Sequence, residues 1–77
     1  MIIDLILDRR DGEPYDSKHF YDDVMSYGET WPELANPITS AMDGGTNEDV
    51  QVQLCNYIKS QGYNPEICDY VNSVEWI

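Results

Sequence analysis

The chain has 77 residues, which allows one domain near the lower size limit for folding without a metal or disulfide framework and argues against a deep catalytic cleft. Fifteen acidic and four basic side chains give a formal net charge of −11, which opposes direct binding to nucleic acid because phosphate contacts need clustered Lys and Arg. The hydrophobic share of 42% is too high for a disordered acidic tail and indicates a folded domain.

The first ten residues fit two patterns of secondary structure. Their apolar side chains and Arg9 recur on one face of a helix, and Gly12 follows as a stop signal. The same residues also alternate as a strand, with Asp11 and Gly12 as a hairpin turn. No β run follows that turn, so we favour the helix and keep the strand as the alternative.

A second helix is predicted to begin at a cap formed by Asp16 or Ser17 and to end at Gly28. Asp22 and Asp23 fall on its outward face. The apolar residues at helical spacing form its inward face: Phe20, Val24 and Tyr27, with Tyr21 and Met25 beside them.

Residues 30–33 match a capping box led by Thr30, with a proline in the first turn. Because Pro37 limits that turn, we expect Asn36 and Pro37 to begin a separate short helix that ends at Gly44 and Gly45. This short helix is predicted to bury three side chains: Ile38, Ala41 and Met42.

Residues 46–62 carry the clearest helix signal in the chain. Thr46 and Asp49 have the spacing of a capping box, and Gly62 supplies a left-handed residue as the stop. The apolar stripe between them marks this helix as the predicted centre of the fold: Val50, Leu54, Tyr57 and Ile58.

A last start signal lies at Asn64, Pro65 and Glu66. An apolar stripe continues from there toward the end of the chain: Ile67, Tyr70, Val71, Val74, Trp76 and Ile77. We therefore expect the chain to end as a helix. Taken together, the segments predict an all-α fold in one domain over residues 1–77, a compact bundle of four to five short helices joined by short connections.

The two cysteines, Cys55 and Cys68, lie on or beside apolar stripes and are interpreted as reduced structural thiols, with a disulfide as the alternative. Asp4 and Asp8 interrupt the opening apolar run, so no signal peptide is recognised. No run approaches the ~20 apolar residues of a membrane span. We predict a cytoplasmic protein that does not bind membranes.

The residues needed for catalysis or metal binding are sparse. His19 has Asp22 and Asp23 within helical reach, which would suit a weak metal site or a base with its orienting carboxylate, but a surface ion pair explains this grouping better. No second histidine is present to activate a serine or cysteine. We predict that the protein is not an enzyme and has no catalytic residues, cofactor or bound metal.

The negative charge is concentrated in residues 11–49, which contain ten acids and one base and carry a net charge of −9. A surface that serves only solubility intersperses both signs, and here basic side chains are nearly absent. A dense carboxylate field on a small rigid body suits a Lys/Arg groove that was built for phosphates.

In size, acidity and lack of catalytic residues, the chain resembles the small inhibitors of phages and mobile elements, the anti-CRISPR and anti-restriction proteins that mimic DNA. The resemblance implies an inhibitor or decoy that occupies a basic nucleic-acid-binding groove, with a nucleic-acid-handling enzyme as its partner. The predicted partner-binding residues are six acids and three aromatic anchors: Asp16, Asp22, Asp23, Glu29, Glu33, Asp43, Tyr15, Tyr21 and Tyr27.

A second hypothesis is a structural or adaptor module that binds a partner, or a second copy of itself, through an apolar patch. Self-association would use Trp31, Trp76 or Ile77. Salt separates the two hypotheses, because binding through charge weakens as ionic strength rises whereas apolar contact is nearly indifferent to it.

Overall fold

The computed structural model describes residues 2–12 and 16–77, which fold into five helices and contain no strand. The helices are α1 (Ile2–Arg10), α2 (Ser17–Thr30), α3 (Pro32–Gly44), α4 (Asn47–Ser60) and α5 (Ile67–Val71). The predicted all-α bundle is confirmed, and the first segment is a helix rather than a strand. The radius of gyration over Cα atoms, 11.1 Å, is that of a compact body.

Helix α4 occupies the centre of the bundle and follows the sequence prediction closely. The Thr46 hydroxyl accepts a hydrogen bond from the Asp49 amide, and the Asp49 carboxylate accepts one from the Thr46 amide, so the capping box is formed. Gly62 has a φ of 76° just beyond the helix. Helix α4 packs on α3 and α5, and its four predicted stripe residues are buried: Val50, Leu54, Tyr57 and Ile58.

The prediction that Gly28 ends the second helix is wrong, because α2 continues to Thr30. A Cβ at residue 28 would lie 3.6 Å from the Thr39 methyl group and 3.8 Å from the Ala35 Cβ. Both are ordinary van der Waals distances, so Gly28 lies within α2 on the side that packs against α3, without the positive φ of a helix stop. Thr30 also does not cap α3, since its hydroxyl bonds the Ser26 carbonyl one turn back within α2.

The predicted restart at Asn36 and Pro37 is also wrong, because Pro37 lies inside one continuous helix. Its ring removes a backbone donor, but the side chain is exposed and leaves the inward face of α3 intact. That inward face spans the proline and is buried on both sides of it: Ala35, Ile38 and Met42. Burial of this face favours the unbroken helix over two short ones.

The end of the chain is not helical, contrary to prediction. Helix α5 stops at Val71, and the segment after it folds back over α4. Asn47 accepts a hydrogen bond from the Trp76 amide, 2.6 Å from its side-chain oxygen, and Gln51 donates to the Val74 carbonyl. A continued helix would pair the Trp76 amide with the Asn72 carbonyl. Here Asn47 and Gln51 on α4 bond these two groups instead, and the Trp76 ring lies in the core.

Both cysteines are free thiols, as predicted, and they lie where α5 packs on α4. Cys68 is buried, and its sulfur lies 4.0 Å from the Cys55 carbonyl oxygen. Burial, followed by a hydrogen bond with Cys68, raises the pKa of the Cys55 thiol to about 12. A thiol that stays protonated at neutral pH is a poor nucleophile, so this pair acts as packing.

Candidate partner-binding surface

The acidic residues singled out by the sequence lie on the hairpin that α2 and α3 form. The helices run antiparallel, because Gly28 packs beside Ala35 whereas Tyr21, seven residues earlier, contacts Asp43. We call the surface that carries the predicted carboxylates the acidic hairpin: Asp16, Asp22, Asp23, Glu29, Glu33 and Asp43. All of them are solvent-exposed except Asp23, which is half-buried.

The antiparallel arrangement divides these carboxylates between the two ends of the hairpin. Asp16 and Asp43 lie at the end where α2 begins and α3 finishes. Glu29 and Glu33 lie at the opposite end, two residues before and two residues after Trp31, which joins the helices. The structure therefore spreads the charge along the length of the hairpin instead of gathering it into one cluster.

Asp22 and Glu29 line the outward face of α2. They are seven residues apart, which is about two helical turns, so their side chains point the same way roughly 10 Å apart along the axis. Among the residues that the structure describes, no basic side chain pairs with either of them. Both carboxylates are thus directed at solvent and available to a partner.

Asp16 has a structural task as well as a charge. It caps α2 by accepting a hydrogen bond from the His19 amide at 2.9 Å, and it also contacts the His19 ring nitrogen Nδ1 at 2.8 Å. The amide bond first, and then the side-chain bond, lower the pKa of the Asp16 carboxyl. Replacing Asp16 would therefore disturb the start of α2 together with the surface charge.

The three predicted aromatic anchors differ from one another. Tyr15 lies outside the described residues. Tyr21 is half-buried, and its hydroxyl donates to Asp43 at 2.8 Å, a bond that raises the pKa of the phenol. Tyr27 stacks on Trp31 with 5.7 Å between ring centroids. Tyr21 therefore positions a carboxylate of the acidic hairpin, whereas Tyr27 belongs to a different feature of the surface.

That feature is a pocket, which we call the apolar groove, and the sequence did not predict it. It has a volume of about 180 Å³ and opens to solvent beside the exposed ring of Trp31. Six residues line it: Ile2, Tyr27, Trp31, Leu34, Ala35 and Tyr57. Because these residues come from four helices and the link between α2 and α3, helical periodicity assigns most of them to a core and cannot show the opening between them.

A second cavity of about 170 Å³, the polar cleft, adjoins the apolar groove and shares Leu34 and Tyr57 with it. Four polar side chains line the polar cleft: Glu33, Gln53, Asn56 and Ser60. Glu33 is the one charged residue among the described residues that line either cavity. It thus stands apart from Asp22 and faces the α4 side of the hairpin.

The apolar patch of the second hypothesis is only partly present. Trp31 and Ile77 are exposed, by 44% and 47%, but Trp76 is fully buried, so its inclusion in an exposed patch is wrong. The Trp76 amide donates a hydrogen bond to the Asn47 side chain, which holds the Trp76 backbone against α4. Val52, which is half exposed on α4, is a further apolar surface residue that the sequence did not single out.

Within residues 2–12 and 16–77, no three His, Cys, Asp or Glu side chains are grouped so as to hold a metal ion. No helix in the described part of the chain is long and apolar enough to cross a membrane. Comparison with protein-family models, curated proteins and solved structures finds no match to this chain.

Proposed function

We propose that this protein is a small inhibitor or decoy whose acidic hairpin occupies a Lys/Arg groove on a nucleic-acid-handling protein. The observation that carries the proposal is the excess of acidic over basic side chains on the hairpin. Residues 16–44 contain six acidic side chains and one basic side chain, Lys18, so the two helices of the hairpin carry a formal charge of −5. A groove shaped for phosphates offers the complementary potential.

The position of the carboxylates supports recognition of an extended basic surface. Asp22 and Glu29 project outward from α2. The Asp43 carboxylate on α3 accepts a hydrogen bond from the Tyr21 hydroxyl on α2. Asp43 is therefore partly ordered before a partner arrives, which lowers the entropy cost of binding. Spreading the charge along a rigid hairpin allows several Lys or Arg side chains to be contacted at once, as a nucleic acid backbone would contact them.

The same charge sets the kinetics that the proposal requires. A net charge of −11 on a body of this size steers it toward a basic groove and raises the association rate at low salt. The Debye length is about 8 Å at physiological ionic strength, so the steering is screened as salt is added. Binding to the partner should accordingly weaken steeply between low and high salt.

The test compares two variants with the same change in total charge. Asp22→Lys with Glu29→Lys reverses the outward face of α2, and Asp8→Lys with Asp69→Lys makes an equal change on α1 and α5. We expect the first variant to capture at least about tenfold less partner from a cell lysate than the original protein does. The second variant should show a much smaller decrease. Capture is measured by quantitative mass spectrometry over a series of salt concentrations.

All four residues are exposed, so we expect the substitutions to alter stability by only about ±0.5 kcal/mol. Circular dichroism checks that both variants fold. Equal losses from both variants would reduce the proposal to steering by total charge, with no defined site. An amount of captured partner that changes neither with salt concentration nor in either variant would contradict the proposal. That result would favour the adaptor hypothesis, which the exposed side chains of Trp31 and Ile77 support.

A further inference from the structure

We infer that the apolar groove and the polar cleft together receive one peptide segment of the partner, with an apolar side chain in the groove and a neighbouring Lys or Arg in the cleft. This inference rests on the proposed function, since it concerns a basic partner. It adds a site that the charge of the hairpin does not require, and it states the chemistry of the segment that fits there.

The apolar groove has the size and lining of a side-chain pocket. A cavity of roughly 150 Å³ with apolar walls holds a benzene-sized ring, so about 180 Å³ accommodates a leucine or an aromatic side chain. Trp31, 44% exposed and stacked on Tyr27, forms a wall that a bound side chain would cover. Exposed tryptophan beside a pocket is a common form of binding hot spot.

Tyr57 forms an aromatic wall of the groove. Its side chain is 5% exposed, and its ring centroid lies 6.3 Å from that of Tyr63. Burial is the main cause that raises the pKa of the Tyr57 phenol, so this wall is uncharged at neutral pH. An apolar side chain that enters the groove therefore meets no charged wall.

The charges around the two cavities select a basic segment. Glu33 lines the polar cleft, and Glu29 lies on the other side of Trp31 at the same end of the hairpin. Lys, Arg and His are absent from the described residues that line either cavity. A Lys or Arg placed next to the apolar side chain would meet the Glu33 carboxylate, whereas an acidic segment would be repelled.

The test uses two synthetic pentapeptides, each with two lysines on either side of a central residue that is leucine in one and alanine in the other. Binding is measured by NMR titration of the labelled protein. The leucine peptide should bind roughly tenfold more tightly, because only its side chain fills the groove. Its amide shifts should centre on Leu34, Ala35 and Tyr57.

Two matched variants locate the effect. Leu34→Trp places a larger side chain where the cavities meet, and it should remove the preference for leucine over alanine. Val52→Trp adds the same side chain on the exposed face of α4, outside both cavities, and should leave the preference unchanged. If Leu34→Trp does not fold, Trp31→Ala, which removes an exposed wall, should also reduce the preference.

Equal binding of the two peptides, or no binding of either, would overturn the inference. Equal binding that is lost in the Asp22→Lys and Glu29→Lys variant would leave the proposed function standing without the groove. Conversely, a leucine preference that persists while partner capture ignores charge reversal would leave the groove standing and remove the proposed function. The two failures are therefore distinguishable.

Discussion

Replacing Trp76 with alanine is expected to lower the free energy of unfolding by about 3–5 kcal/mol. The indole is fully buried, with its centroid 4.7 Å from that of Phe20 and 5.1 Å from the guanidinium carbon of Arg9. Its N–H donates to the Val71 carbonyl at 2.9 Å. The substitution removes the largest fully buried side chain and leaves a cavity between α2 and the end of the chain.

The loss is measured by urea denaturation followed by circular dichroism. Ile77→Ala is the matched control, since Ile77 is the neighbouring residue and 47% exposed, and it should change stability by no more than about 0.5 kcal/mol. Trp76→Phe should be intermediate, because it keeps an aromatic ring but loses the N–H donor. A Trp76→Ala protein as stable as the Ile77→Ala protein would show that the terminal segment does not pack as described.

Leu54→Ala is expected to cost about 2–5 kcal/mol, because Leu54 is fully buried at the middle of the central helix. Helix α4 packs on α3 at one side and on α5 at the other, so a cavity at Leu54 weakens both contacts. The same urea experiment measures the change. A cost below about 1 kcal/mol would mean that α4 is not the centre of the core.

Val52→Ala provides the control on the same helix. Val52 is half exposed, and replacing it by alanine also improves helix propensity, so stability should stay within about 0.5 kcal/mol of the original. A large loss of stability in Val52→Ala would contradict the described core, because it would show that the Val52 face of α4 is buried.

The parts of the fold that the sequence predicted well are those set by neighbouring residues. The capping box of Thr46 and Asp49, the left-handed Gly62 and the stripe around Leu54 all belong to one helix and its two ends. Caps, stops and a 3.6-residue period act over a few positions, so they can be recognised without knowing what packs against the helix.

The parts that were predicted wrongly depend on contacts between distant segments. Glycine commonly ends helices, which predicts a stop at Gly28, but this residue has no positive φ and lies inside α2, beside Ala35 and Thr39 across the hairpin. The apolar stripe predicts a helix that continues to Trp76, yet Asn47, 29 positions earlier, holds Trp76 in a non-helical segment. No local pattern contains this information.

The candidate site also has features that the sequence could predict and features that it could not. Its charge was predictable, because composition shows the excess of acids and helical periodicity places Asp22 outward. The partnership of Tyr21 with Asp43 and the opening beside Trp31 were not, since each joins residues from separate helices. The sequence indicated one part of the apolar groove, because it named Trp31 as a candidate for an apolar surface patch.

The central claim, that the acidic hairpin takes the place of nucleic acid in a basic groove, is tested most directly by competition. A fluorescent double-stranded DNA is bound to the partner identified by capture, and its anisotropy is followed as this protein is added. Displacement should return the anisotropy to that of free DNA, and the variant with Asp22→Lys and Glu29→Lys should displace the DNA at least about tenfold less effectively. An anisotropy that stays constant or rises, because DNA and protein bind the partner together, would contradict the claim.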